Sequence, residues 1–341
     1  MELCFWVRAT VMNSFISSSS MKTLTSLLLA LLCIVTIEVT LHLVMPVASN
    51  RAEDSQLIHS AFYKPVRVER QMAALKLELF TGQPAEMVQV GDSSGLVSVR
   101  PSLIEPYLPP GWKYLNASLQ VPAQFEGIYA TAEQMLKYNP DRKYLVGVFN
   151  MNHLGRRDEG FGSEIELFYN SPWQQLLQLP SLNFRRSVTN GLFYVAEPAP
   201  AAMDIAKQMA SLRKTLLIDN GWIGVDFKNT GAPQCSPGAF FDPELARQRL
   251  EKLYALANRY QVGLVVTLGP MPCQANDDTR RIESVFSAFK QAHPDVHLPM
   301  PIPNEIQAQY MGDGAHVTSK EGAPYYSHLF GAALKRTLIE K

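Results

Sequence analysis

From Met87 onward the chain alternates two kinds of segment, and that alternation limits the folds open to it. Short, nearly uncharged apolar runs ("MVQVGDS", "KYLNAS", "KYLVGVFNMN", "VGLVVTLGPMP") are separated by longer stretches of helical periodicity ("FEGIYATAEQMLKYN", "PELARQRLEKLYALANRY", "DDTRRIESVFSAFKQAH"). Apolar runs of strand length predict strands buried on both faces, and helices between them predict parallel pairing. The expected fold is α/β, a doubly wound, mainly parallel sheet with helices on both faces. "GLVSVRPSLIEPYL" is expected to be helical, with Pro101 near its first turns or breaking it. Pro243 stands near the start of a strongly amphipathic helix. "VGLVVTLGPMP" reads as a central strand, "VHLPMP" as a short one, and the C-terminus as a helix from about Glu321.

Upstream of this pattern lies an uncharged run, Leu24 to Ile37, whose apolar character continues to Val47 past Glu38 and His42. Counted to Val47 it reaches the length of about 20 residues that a bilayer crossing needs. It reads either as a transmembrane anchor over 24–47 or as a signal peptide starting at Met21 and cleaved near Val47–Ser49. Arg8 and Lys22 precede it, which places the larger part of the chain on the outer side. The expected location is the inner (cytoplasmic) membrane, single-pass, with the domain facing outward. Residues 1–23 form a leader, 48–86 a polar helical stalk, and 87–341 the domain, with an irregular, aromatic-rich insertion around 155–242.

The 341 residues carry 31 basic and 31 acidic side chains, and no basic stripe is present. That balance argues against a nucleic-acid partner. Cys235 and Cys273 are the two cysteines of the body, and an exported domain would allow them to pair or leave both buried and free. No C-x-x-C or H-E-x-x-H spacing occurs, so no metal site is expected.

Two short motifs carry chemistry. Gly91-Asp92-Ser93-Ser94 follows the first expected strand, and Asp313-Gly-Ala-His316 precedes the last expected helix. The first is either an ordinary strand-to-helix turn or a nucleophile at the carboxyl end of a strand. In the second, a carboxylate three residues before an imidazole can hold one ring tautomer, as a general base for a serine requires. The bland reading is a helix cap and a surface histidine. Asn150 and Asn152 follow the third strand and serve either as caps or as oxyanion donors. His153, Arg156 and Arg157 read as binders of a carboxylate or sugar, or as a solvated loop. Asn116-Ala-Ser matches a glycosylation sequon but sits at a strand end inside the sheet.

Together, Gly-Asp-Ser after the first strand and Asp-x-x-His after the last resemble the SGNH hydrolase superfamily (GDSL-type esterases), over roughly Met87 to Ala333. The resemblance implies a flavodoxin-like three-layer fold, Ser93 as nucleophile, His316 as base and Asp313 as its orienting acid, with Asp92 and Ser94 shaping the turn and Ser94 the fallback nucleophile. It implies an oxyanion hole from the Ser93 amide, a backbone N–H of Ala117 or Ser118, and Asn150 or Asn152. The chain departs from the family at "YLNASL", where a Gly is usual, and at "GVFNMNHL", where Gly-x-Asn-Asp is usual. The implied activity is a cofactor-free serine esterase or O-acyltransferase acting on an acylated polysaccharide or envelope glycan. A transferase would also need a multi-spanning membrane acyl-donor partner. A lipid-directed esterase or thioesterase, and a non-catalytic scaffold binding a polymer or membrane partner, are the competing readings.

Overall fold

The structure is a computed structural model that describes residues 68–120, 123–155, 202–225, 241–272 and 277–340, with a few positions between 25 and 36. Among the described residues no helix is long and apolar enough to cross a membrane, and most of the 24–47 segment lies outside them. Cys235 and Cys273 also lie outside them.

Four parallel strands, β1 (Met87–Gly91), β2 (Tyr114–Asn116), β3 (Tyr144–Phe149) and β4 (Gly263–Leu268), form one sheet in the order β2-β1-β3-β4. Alternate side chains point to opposite faces of a strand, and here they enter two separate cores. Val88, Val90, Leu115, Leu145, Leu264 and Val266 join one apolar cluster; Met87, Tyr114, Val146, Val148 and Val265 join the other. Helices α1 (Val68–Phe80), α4 (Gln124–Lys137), α7 (Pro243–Arg259) and α8 (Asp277–Ala292) contribute to the first cluster. Helix α9 (Gly322–Leu338) lays Ala323, Tyr326, Phe330 and Leu334 into the second. The sheet is therefore α/β, parallel and covered on both faces.

The segment after β1 forms two helices, α2 (Ser93–Ser98) and α3 (Pro101–Ile104). Pro101 breaks the run as expected. The residue before a proline is driven out of the helical region, and Val99 and Arg100 are extended. The "central" placement of "VGLVVTLGPMP" is corrected: β4 pairs with β3 on one side, and on the other it carries, among the described residues, only a bridge between Val265 and His297. The expected strand "VHLPMP" shrinks to that bridge because Pro299 and Pro301 have no N–H to extend a ladder.

The stalk reading is corrected over 68–80, since α1 is part of the domain. Met72, Leu75 and Phe80 are buried, and the fully buried Lys76 donates from Nζ to the carbonyls of Asn116 (2.8 Å) and Ser118 (2.7 Å). Within the expected insertion, α6 (Ala202–Ile218) is regular, and the residues after it cover the exposed edge of β2 through Asn116 N–H to Asn220 carbonyl at 2.9 Å. Buried Asp219 accepts from Arg100 Nε and from the amide and hydroxyl of Ser102, and Trp222 Nε1 donates to the Val97 carbonyl. Residues 156–201 and 226–240 lie outside the described set. A short turn helix, α5 (Met151–Leu154), follows β3.

Burial holds the Lys76 amine well below its usual 10.5. Below the folded-state value both states are charged and the full burial cost is felt. Between that value and 10.5 only the unfolded chain binds the proton, so stability rises with pH. The difference in unfolding free energy between wild type and Lys76→Met should therefore shift in favour of wild type as alkalinity increases. A pH-independent difference in denaturant titrations would contradict this.

Candidate active site

A parallel sheet gathers its strand ends on one side, and the crevice opens where the strand order reverses. Here β1 runs to β2 on one side and the chain then crosses to β3 on the other, so the reversal lies between β1 and β3. The two strands approach closely at that point. A Cβ on Gly91 would stand 1.8 Å from the Val148 carbonyl oxygen. Only glycine permits this contact.

Asp92 then caps α2: its Oδ1 accepts the Ser94 amide at 2.8 Å, and its Oδ2 accepts the Asn150 amide at 2.6 Å. The carboxylate is fully buried. Ser93 follows as the first helical residue and stays partly open to solvent. Asn116 holds the far end of the same helix, donating from Nδ2 to the carbonyls of Gly95 (3.0 Å) and Val99 (2.9 Å). Its Oδ1 accepts from Gln89 Nε2 (3.2 Å) and from the Ser118 amide (3.1 Å). This buried side chain is not available to a glycosylating enzyme.

The second motif arrives from the loop before α9. Met311 and Val317 are buried and bridge antiparallel, and the amides of Gly312 and Asp313 donate to the His316 carbonyl at 2.7 and 3.2 Å. Asp313 Oδ1 accepts the amides of Ala315 and His316, both at 2.7 Å. His316 Nδ1 lies 2.8 Å from Asp313 Oδ2, and His316 Nε2 lies 2.8 Å from Ser93 Oγ. A carboxylate only accepts. Nδ1 therefore carries the proton, and Nε2 is left to accept from the serine hydroxyl. Burial pushes the Asp313 carboxyl up, but hydrogen bonds from His316 and from the Ala315 and His316 amides outweigh it and hold the group below its usual range. The side chains of His316 and Asp313 are 19% and 44% exposed, so the pair opens to solvent.

No protein-family profile matches this chain, and no curated protein matches it in sequence. Function is read from the site alone.

The structure thus brings Ser93, His316 and Asp313 together. It separates Ser94 from the base: Ser94 is buried and its Oγ donates to the Ala315 carbonyl at 3.1 Å, so the fallback nucleophile is instead a brace between α2 and the histidine loop. Ala117 is corrected as an oxyanion donor. Its N–H is consumed by the Gln89 carbonyl at 2.8 Å, and the amides of Asn116, Ser118 and Leu119 are likewise committed. Asn150 stands beside the nucleophile turn through its bond to Asp92, and its carbonyl accepts from the first turn of α5. Asn152 lies one residue into that helix. The amide of Ser93, as the first in α2, has no acceptor within the helix.

His153 does not lie in a solvated loop. Its side chain is buried, with Nδ1 3.1 Å from Asp92 Oδ2. Arg156 and Arg157 lie outside the described residues. Asp92 shapes the turn as the resemblance implied, whereas sequence reasoning missed Asn116 as an organiser of the helix that begins at Ser93. Polar residues inside otherwise apolar strands were the available signal.

Gly91→Ala should destabilise the domain by about 1–3 kcal/mol or more through overpacking. Asn116→Ala leaves buried carbonyls unpaired and should cost about 1–3 kcal/mol. Chemical denaturation measures both, and a loss under about 0.5 kcal/mol in either would contradict the corresponding contact.

Proposed function

We propose that this chain is a serine esterase or O-acyltransferase of the SGNH type, working through Ser93, His316 and Asp313. The observation that carries the reading is the unbroken relay from Ser93 Oγ through both nitrogens of His316 to the Asp313 carboxylate. Each contact has the length and polarity that an activated serine requires.

In this mechanism Ser93 Oγ attacks an ester carbonyl while its proton passes to His316 Nε2. The C–O bond forms, and the carbonyl electron pair moves onto oxygen. Collapse of that intermediate expels the alcohol, which takes the proton back from Nε2, and leaves an acyl group on Ser93. Water or a second hydroxyl then attacks the acyl-serine by the reverse path, which separates hydrolysis from transfer. Asp313 keeps Nδ1 protonated and stabilises the imidazolium that forms transiently. The amide of Ser93 and a donor from the Asn150–Asn152 turn are the proposed oxyanion partners.

The predominantly apolar 24–47 segment supports a domain held outside the cytoplasmic membrane. The substrate class proposed with it is an ester-linked acyl group on an exported polysaccharide or envelope glycan. Transfer rather than hydrolysis would call for a membrane-embedded acyl donor.

Full-length protein in detergent, treated with a fluorophosphonate probe, should be labelled at Ser93 as mapped by mass spectrometry. Ser93→Ala should abolish labelling, and His316→Ala should slow it by about 1000-fold or more. Folded wild-type protein that takes no label, or takes it elsewhere, would overturn the proposal.

A further inference from the structure

The Asp92 carboxylate is fully buried one residue before the nucleophile. A buried carboxylate is strongly unfavourable unless donors surround it. Two are backbone amides, Ser94 at 2.8 Å on Oδ1 and Asn150 at 2.6 Å on Oδ2. Beside them stands a side chain, His153, whose Nδ1 lies at ion-pair distance, 3.1 Å, from Oδ2. Because the carboxylate only accepts, this contact requires the proton on Nδ1.

The other nitrogen of the ring is the unusual one. His153 Nε2 is buried and finds no hydrogen-bond partner among the described residues. An orphaned buried polar atom is a standing cost of about 1–3 kcal/mol. The fold also braces the backbone here: Arg249 Nη1, itself buried, donates to the carbonyls of His153 and Leu154 at 2.8 and 3.0 Å. Among the described residues, the ring's polar contact is therefore made from its Nδ1 side.

We propose that His153 is a positioning residue of the site. Its Nδ1–H fixes Asp92, and through that carboxylate it sets both the turn that presents Ser93 and the Asn150 amide beside it. This rests on the reading of Ser93 as the nucleophile for its kinetic consequence, but not for its structural one. His153 touches no reacting atom; it acts through Asp92 on two strand ends at once, those of β1 and β3.

The two nitrogens can be separated by substitution. In asparagine the side-chain amide branches from the γ-carbon, as Nδ1 does; in glutamine it reaches further, to where Nε2 stood. His153→Asn keeps the donor to Asp92 and removes the orphan atom. His153→Gln keeps a polar group at the orphan position and loses the donor.

Both variants would be made in the full-length protein and compared with wild type by two measurements. Hydrogen exchange of the amides of Ser94 and Asn150 reports the Asp92 cluster without any turnover. Protection should hold in His153→Asn and fall in His153→Gln. Fluorophosphonate kinetics report the consequence for the nucleophile. The maximal labelling rate, kinact, should stay within about 3-fold of wild type in His153→Asn and drop about 10–100-fold in His153→Gln, with the probe's KI unchanged, as expected for a misplacement of order 1 Å.

Equal loss in both variants, in exchange or in kinact, would overturn the proposal, since Nε2 or the ring itself would then be what matters. Full protection in His153→Gln would overturn it as well. If His153→Gln does not fold, His153→Asn still decides: it must fold, keep its protection and keep its rate. Wild-type protein that takes no label but shows the expected exchange pattern would overturn the esterase reading and leave the Asp92–His153 assignment standing.

Discussion

At the carboxyl end of β1 the backbone of Gly91 lies so close to the Val148 carbonyl that no side chain fits between them. The turn that carries Ser93 depends on that approach. With β1 and β3 drawn together, the Asp92 carboxylate can reach the Asn150 amide on the neighbouring strand end while capping its own helix. Ser93 is therefore held by the sheet rather than by the flexibility of a loop. Distorting it would mean prying apart two strands that pair along five residues, from Met87↔Tyr144 to Gly91↔Val148. A nucleophile must present its oxygen within a narrow range of angles, and a sheet is the stiffest frame the chain can provide.

His316 is held by different means. The loop from Met311 to Val317 has little apolar mass, yet its main chain folds back on itself, and Asp313 accepts two amides besides the imidazole. At 44% exposure the Asp313 charge is screened by water. Its value lies in orientation more than in attraction: two backbone donors fix the carboxylate, and the carboxylate fixes the ring. Ser94 then ties this loop to α2 through the Ala315 carbonyl. The adjacent serines divide the work, one presenting an oxygen to His316 and the other joining the two halves of the site.

The alternation of apolar runs and amphipathic stretches made the sheet legible in advance, because period and length are local properties. The pairing of Gly-Asp-Ser with Asp-x-x-His was legible for the same reason: each motif makes its own turn. What could not be read were residues whose roles depend on distant partners. His153 looked like loop polarity until burial placed it on Asp92, 61 positions earlier in the chain. Lys76 looked like part of a solvated stalk, yet it reaches one carbonyl at the end of β2 and another just past it. The same limit misled the reading of Ala117. A backbone N–H at a strand end is open or closed according to its neighbour, and here Gln89 closes it.

That closure shapes how an oxyanion could be met. Four successive amides at the end of β2, Asn116 to Leu119, all donate inside the protein, and the Asn116 side chain behind them holds α2. The segment "YLNASL" is thereby a buttress for α2. Under the acyl-transfer reading, the donors must come from the first amide of α2 and from the turn after β3. Both are attached to Asp92, one by sequence and one by hydrogen bond. A single buried carboxylate then governs the nucleophile and the anion site together. Any change that moves it, including one made through His153, displaces the attacking oxygen and the groups meant to receive the developing charge in the same step.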